Sequence, residues 1–371
     1  MAPGREAAVV AVKQPPAAPR VLVFNFFAGM KLRGIPVYAR ELEACFLRLG
    51  VVHHELSAPA WLGRLPGAFQ NIGFVVFEQL VAPIVARWHR CRWTVYPYNS
   101  GSVLDALAGR SVMVIHDLIP NRRESKGLAA RYIRVCQAWH AWLGRPVATV
   151  SRHTMRQLAR IEGFGRCEKY LWANPFYAFE AALVRRPPSP ERTPAAAPTV
   201  LLCSGIGPNK DYRGALKLLR RLPAEAGWQV RVLGFGDDAP LARRRLEMLP
   251  PAWRERVTIL PRLGLDDTVA EFAAADVVWV HSRAEGFGRP VMEARMCGRP
   301  VVATDIGAFR QLRRFRHVHL YKDAGFEHAF ELAAQDARSG ACSPASAQAF
   351  NRQLEHEVAR LLARAPSAPR A

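Results

Sequence analysis

Glu285 and Glu293 bracket the run Glu285-Gly-Phe-Gly-Arg-Pro-Val-Met-Glu293. Carboxylates set around a Gly-aromatic-Gly loop suit a ligand rich in hydroxyls and phosphate, because charged acceptors make the stronger hydrogen bonds. Gly286 and Gly288 let backbone N–H groups come close to such a ligand. Pro290 fits the first turn of a helix, where its missing N–H costs nothing, and a helix start favours negative charge. The same residues could instead form a glycine turn before an ordinary helix, with two solvated glutamates. A second run, Gly205-Ile-Gly207-Pro-Asn209-Lys210, delivers a lysine to a helix start and so suits phosphate. It lacks the spacing and the Ser/Thr of a nucleotide-hydrolase P-loop. A third, His116-Asp117, closes an apolar run before Pro120, either as a structural strand end or as a polar pair placed for chemistry. Gly34 either admits a substrate close to the backbone or merely shapes a turn.

Open α/β sheets bind ligands beyond the C-terminal ends of their strands, so each of these runs needs a strand before it. The pattern supplies them. Val21 to Phe27 reads as a buried strand, followed by a helix with Ile35, Tyr38, Leu42, Cys45, Phe46 and Leu49 on one face. Short apolar runs at 94–96, 111–115, 148–150 and 170–172 continue a first unit. Between Val184 and Pro198 the text turns to Pro, Arg and Ala, the composition of a semi-stiff linker. The pattern then restarts with a strand at 199–203, the glycine loop to Lys210 and an apolar helix. Strands at 230–233, 257–260, 277–280 and 301–303 follow, with a helix from Thr268 to Ala274. The expected architecture is α/β, two doubly wound Rossmann-like units in tandem. Its parts are a disordered lead-in at 1–19, a first domain at 20–183, a linker at 184–198 and a second domain at 199–344. A C-terminal helical segment at 345–371 packs back on the body, with its last residues, from Pro366, loose.

The chain has 371 residues, half of them hydrophobic, enough for two cores. Its formal net charge is +21, and only seven of its 52 basic residues are lysine. Such a charge suits nucleic acid, an anionic membrane face or nucleotide substrates, and also follows from a base-composition bias toward arginine. The basic groups, among them Arg87, Arg90 and Arg92, then Arg122, Arg123 and Arg131, and Arg313, Arg314 and Arg316, are scattered. They lack the alternating aromatics of a single-strand binder, so no nucleic-acid partner is expected. Seven cysteines occur singly with no Cys-x-x-Cys, which fits a reducing, cytoplasmic setting. The N-terminus has no apolar core of a signal peptide. The most apolar stretch, Gly73 to Ala86, is broken by Glu78, Gln79 and Pro83 and reads as a buried or interfacial helix and not a span. His53-His54 and His317-Val-His319 have no carboxylate or thiol at ligand spacing and read as loop histidines, and no Asp-x-Asp occurs, so no metal site is expected.

Taken together, these residues resemble family 4 retaining glycosyltransferases, enzymes of the GT-B fold. The likeness is strongest from Gly264 to Leu312, through Leu265 to Asp276, His281-Ser282, the Glu285 to Glu293 run, Cys297-Gly-Arg-Pro and Asp305-Ile-Gly307. It extends to Gly34 with its helix, to His116-Asp117-Leu-Ile-Pro120 and to Val150-Ser151. The resemblance implies two facing domains, the first for the acceptor and the second for a UDP- or GDP-sugar donor, with no further cofactor and no metal. It implies catalytic-site roles for His116, Asp117 and Glu285, with Glu285 toward the donor sugar and Glu293 on the ribose. Lys210 corresponds to the lysine on the diphosphate, with Asn209, Ser282, Gly286, Phe287, Gly288 and Gly34 about the donor.

One departure stands out. The family's phosphate-binding arginine in the first loop of the second domain is missing here, where Ile206 follows Gly205. Arg289, in a position more often aliphatic, either supplies the absent charge about the donor or is a surface arginine. The function implied is transfer of a hexose with retention to a lipid-linked or polysaccharide acceptor in surface-glycan synthesis, such as lipopolysaccharide, O-antigen or capsule. The setting would be the cytoplasm or the cytosolic face of the inner membrane, with peripheral contact to anionic lipid. The alternatives are a catalytically silent nucleotide-sugar binder within an assembly complex, or a nucleotide-sugar epimerase.

Overall fold

The computed structural model describes residues 20–364 apart from 29, 31–33, 122–124, 187–196, 206 and 224–225. The lead-in at 1–19, the middle of the linker, Arg122 and Arg123, and the tail from 365 lie outside these described residues. Two six-stranded parallel sheets form the frame. The first contains β1 (Arg20–Phe24), β2 (Val52–Leu56), β3 (Trp93–Tyr96), β4 (Ser111–Ile115), β5 (Val147–Thr149) and β6 (Lys169–Leu171), in the order β2-β1-β3-β4-β5-β6. The second contains β7 (Thr199–Cys203), β8 (Gln229–Leu233), β9 (Val257–Ile259), β10 (Val277–Val280), β11 (Val301–Thr304) and β12 (Val318–Tyr321), in the order β12-β11-β10-β7-β8-β9. Each strand order reverses once, between β1 and β3 and between β7 and β10, and ligand crevices open at such switch points.

The interior strands β3, β4, β5 and β10 are buried at every residue, as parallel strands covered by helices on both faces must be. The two edge strands β2 and β12 contradict the reading of the paired histidines as loops. His53, His54 and His319 lie in strands. An edge strand faces solvent along one side and needs no continuous apolar run, which hides it from a hydrophobicity pattern. The C-terminal helix Gln348–Leu362 buries Phe350, Leu354, Val358 and Leu361. It packs on the first half: the Phe176 amide donates to Asn351 Oδ1 at 2.9 Å, and Tyr177 Oη donates to Glu355 at 2.9 Å.

The stretch Gly67–Trp88 is one 22-residue helix, long and apolar enough to cross a membrane by length and composition. Phe74, Phe77 and Val85 pack against the core of the first half, whereas Phe69, Ile72, Val76, Leu80, Ile84 and Trp88 project into solvent. These exposed positions recur every three or four residues, making an apolar stripe along one side. Glu78 pins the other side to the protein. Its fully buried carboxylate accepts hydrogen bonds from Ser100 Oγ at 2.7 Å, Gln79 Nε2 at 3.3 Å and the Tyr132 hydroxyl.

Burial pushes the Glu78 carboxyl up to about 7, against the pull of those three donors. A folded value above the unfolded one means that stability is lost as pH rises from the ordinary carboxylate range through 7. Glu78→Gln should therefore be more stable than the parent at pH 8, by about 2 kcal/mol. The gap should close toward pH 5, as read from melting curves across that range.

Candidate active site

The loops after β7, β10 and β4 meet at one place. Glu285, in the loop after β10, takes the Lys210 ammonium on Oε1 at 2.5 Å and the Ser282 hydroxyl on the same oxygen at 2.8 Å. Ser282 is itself buried and fixed by Thr304, whose Oγ1 accepts from the Ser282 amide at 3.2 Å. Lys210 is brought over by Asn209, which ties the two loops: the Arg283 amide donates to its carbonyl at 2.7 Å, and its Nδ2 donates to the Ala284 carbonyl. A charge-assisted pair so placed lets Glu285 hold a hydroxyl and Lys210 turn to an anion without either being stranded.

Gly286 is where the second half touches the first. A Cβ added to it would lie 1.9 Å from the His116 carbonyl oxygen, so only glycine allows this approach. Its own carbonyl accepts from Ser151 Oγ at 2.6 Å and from Thr154 Oγ1 at 3.2 Å. Thr154 also donates to the His116 carbonyl at 3.0 Å, binding both halves with one hydroxyl. The sequence reading gave Thr154 no role. The available signal was the Ser151-x-x-Thr154 helix start, at which the Thr154 amide donates to Ser151 Oγ at 3.0 Å.

Phe287 is buried against Phe176 of the first half and Phe350 of the C-terminal helix, with ring centroids 6.0 and 5.2 Å away. Its ring is therefore an interdomain wedge, and only its backbone can serve a ligand. Gly288 begins the helix Arg289–Met296 with φ 98°, in the left-handed region, where a Cβ would meet the Phe309 ring. The amides of Phe287 and Gly288 find no acceptor among the described residues. With the helix start they form a cradle for negative charge.

The His116 ring lies beneath Tyr38, whose ring meets it edge-on at 4.7 Å between centroids. Burial pulls its imidazole down to about 4, partly opposed by a hydrogen bond to the Pro97 carbonyl, so it is neutral at pH 7. Its Nε2 is buried without a partner. A buried ring nitrogen left unpaired is costly unless a ligand completes it. Asp117 lines the cleft opposite Glu285, while its Oδ1 takes the Ile119 amide at 2.9 Å and shapes the turn. The cleft is about 510 Å³ and reaches His153, Arg283 and Gly307.

Three expected donor residues stand differently. Arg289 supplies no unengaged cation for phosphate. Its guanidinium donates to the Pro175 carbonyl at 2.7 Å, lies over the Phe176 ring and faces Glu41 at 3.6 Å and Glu293 at 3.2 Å. The helix start turns it away from the diphosphate cradle and into the seam between halves. Glu293 is accordingly held by Arg289, and no described contact joins it to Glu285. Gly34 caps the helix Ile35–Arg48 with φ 75° and ψ −135°, which suits glycine, yet it meets none of the other site residues among the described contacts.

Burial raises the carboxyl of Glu41 above the usual range, and Arg289 is the main counterweight. Arg289→Ala leaves that carboxyl buried and unpaired, which should cost about 3 kcal/mol of stability, increasing as pH rises above the carboxylate range. Affinity for a nucleoside diphosphate should not change; calorimetry showing a weakened affinity would restore the phosphate role.

His317 and His319 also depart from the sequence reading. Folding brings Asp336 to both, with Oδ2 at 2.9 Å from His317 Nδ1 and 2.6 Å from His319 Nε2, and Cys342 stands nearby. The carboxylate is 17 residues from His319 in sequence, so no local spacing could announce it.

Residues 197–330 match the family model of Glycosyl transferases group 1. A D-inositol 3-phosphate glycosyltransferase of Xylanimonas cellulosilytica is 34% identical over 119 residues, 32% of this chain and 28% of that protein. The matched stretch thus spans less than a third of that relative's length. Among solved structures, sucrose-phosphate synthase from Thermosynechococcus elongatus is similar at a TM-score of 0.67 and 15% identity, covering 93% of this chain and 99% of that one. Anabaena HepE in complex with UDP-glucose is similar at 0.60 and 16%, covering 92% and 99%. The fold is therefore GT-B, two Rossmann-like domains facing across a cleft.

Proposed function

We propose that this chain is a family 4 retaining, metal-independent glycosyltransferase. In this reading it moves a hexose from a UDP- or GDP-sugar to a lipid-linked or polysaccharide acceptor of a surface glycan. The observation that carries the reading is the convergence of Lys210 and Ser282 on Glu285, which lines the cleft together with Asp117, next in sequence to a neutral His116 whose Nε2 has no partner. The match of the second half to the Glycosyl transferases group 1 model supports it, as does the UDP-glucose bound by the similar HepE.

Breaking the bond between sugar and nucleotide builds negative charge on the departing diphosphate and positive charge on the sugar ring. Lys210 and the helix start at Arg289 meet the first, and the Glu285 carboxylate meets the second. His116, unprotonated at pH 7, can donate to or accept from a sugar hydroxyl without adding charge. The acceptor hydroxyl attacks on the face the diphosphate leaves, and its proton passes to the leaving phosphate.

A thermal-shift screen across nucleoside diphosphates tests the donor, since a ligand bound only by the folded protein raises its melting temperature. No stabilisation by any of them would sink the reading. With the donor known, the product should keep the donor's anomeric configuration by NMR, and chelation by EDTA should leave the rate unchanged. Release of a free epimer without acceptor would assign epimerase chemistry instead.

The apolar stripe of Gly67–Trp88, beside Arg87, Arg90 and Arg92, supports peripheral docking on an anionic membrane at its cytosolic face. Flotation with anionic vesicles at low salt should carry the protein up; its absence from the floating fraction would count against that location.

A further inference from the structure

A second cavity, about 650 Å³, opens beside the cleft and shares His153, Gln157, Arg160 and Gly307 with it. Its walls come from three places: the helix Arg152–Leu158 of the first half, the short helix Gly307–Arg310 of the second, and the C-terminal helix at Phe350. Arg152, Arg156 and Arg160 stand on one wall at intervals of four, and Arg310 and Arg314 stand on the other at the same interval.

Arg152 and Arg156, like charges four residues apart on a helix, repel, and Arg160, Arg310 and Arg314 crowd the same cavity, so the set costs stability unless an anion lies between. Asp305 neutralises Arg310 through a paired contact at 2.6 and 3.0 Å. Arg152, Arg156, Arg160 and Arg314 have no carboxylate partner among the described residues. The crowding is felt by the neighbours. His153 is held below its ordinary value first by burial and then by Arg156 and Arg310, and Arg314 is lowered first by burial and then by Arg152. Arg314 is nevertheless held in place, its guanidinium 5.1 Å over the Phe350 ring.

Lys210 does not line this cavity, and the donor's diphosphate has its own cradle at Lys210 and the Gly288 helix start. We propose that the arginine chamber binds a phosphate or diphosphate group of the acceptor, whose hydroxyl then extends through the shared opening toward Asp117 and Glu285. This inference rests on the glycosyltransferase reading, and it narrows the acceptor to a phosphate-bearing one. Guanidinium groups suit that task because each offers a planar pair of donors to phosphate oxygens.

The test uses the full chain with UDP and GDP both present at saturation, so that the donor cradle is filled. Inorganic pyrophosphate is then titrated by calorimetry. One-to-one binding is expected, weakened about tenfold or more in Arg156→Gln/Arg314→Gln and partly restored in Arg156→Lys/Arg314→Lys. Both side chains are solvent-exposed, so the glutamine variant, relieved of repulsion, should melt no lower than the parent, and the affinity for UDP or GDP should be unchanged. Absence of pyrophosphate binding to the nucleotide-saturated protein, or equal binding by the glutamine variant, overturns the proposal. If neither UDP nor GDP binds but pyrophosphate binding still depends on the arginines, the chamber stands and the donor reading falls. Farnesyl diphosphate distinguishes the source: tighter binding than pyrophosphate marks a lipid-linked acceptor, and weaker binding a phosphorylated sugar, either of which supports the site.

Discussion

Glu285→Gln should lower turnover about a thousandfold while the protein remains folded, at the upper end for removing one group aimed at developing charge. Gln keeps the shape, and its carbonyl oxygen can still accept from Ser282. What disappears is the negative charge beside the sugar ring as that ring becomes positive, together with the counter-ion of Lys210. Lys210 is then left free for the diphosphate, so donor affinity should hold or rise even as turnover collapses. A split of that kind, a low kcat with an undiminished affinity for nucleoside diphosphate, separates a group acting in the transition state from one that merely binds. Turnover within tenfold of the parent would remove Glu285 from the chemistry.

Gly286→Ala should cost about a hundredfold in turnover without touching any side chain of the site. The added methyl group would lie 1.9 Å from the His116 carbonyl oxygen and 2.8 Å from its carbon, and these are backbone atoms that cannot rotate away. The halves must part, breaking the hold of Ser151 and Thr154 on the Gly286 carbonyl and separating His116 from Glu285. Misplacement of reacting groups by an ångström is enough for an effect of that size. Each half keeps its own sheet, so circular dichroism should be unchanged while solution scattering reports a larger radius of gyration. Full activity in the variant would mean that the working form does not use this contact.

Much of this was legible in the sequence because it is local. The short strands, the glycine loops and the Glu285 run each reside in under a dozen consecutive residues, where period and turn chemistry act directly. The edge strand at Val52–Leu56 was missed because half-solvated histidines carry no apolar alternation. Arg289 was assigned to phosphate because only its neighbours in sequence were visible. Its partners Glu41 and Pro175 lie more than a hundred residues away and become neighbours only when the halves close. The arginine chamber is the extreme case, since its two walls look like two unremarkable basic stretches until the fold brings them to one cavity.

The C-terminal helix belongs to the second half by chain order but rests on the first, through Phe176 and Tyr177. The polypeptide therefore passes between the halves twice, once between Arg186 and Ala197 and again between Gly340 and Gln348. Two bodies joined by a single thread can twist, tilt and slide; joined at two points, they keep chiefly one freedom, rotation about the line through both joints. Any opening of the cleft would thereby be a door-like swing about that line, with the Gly286 contact on His116 as its closed position.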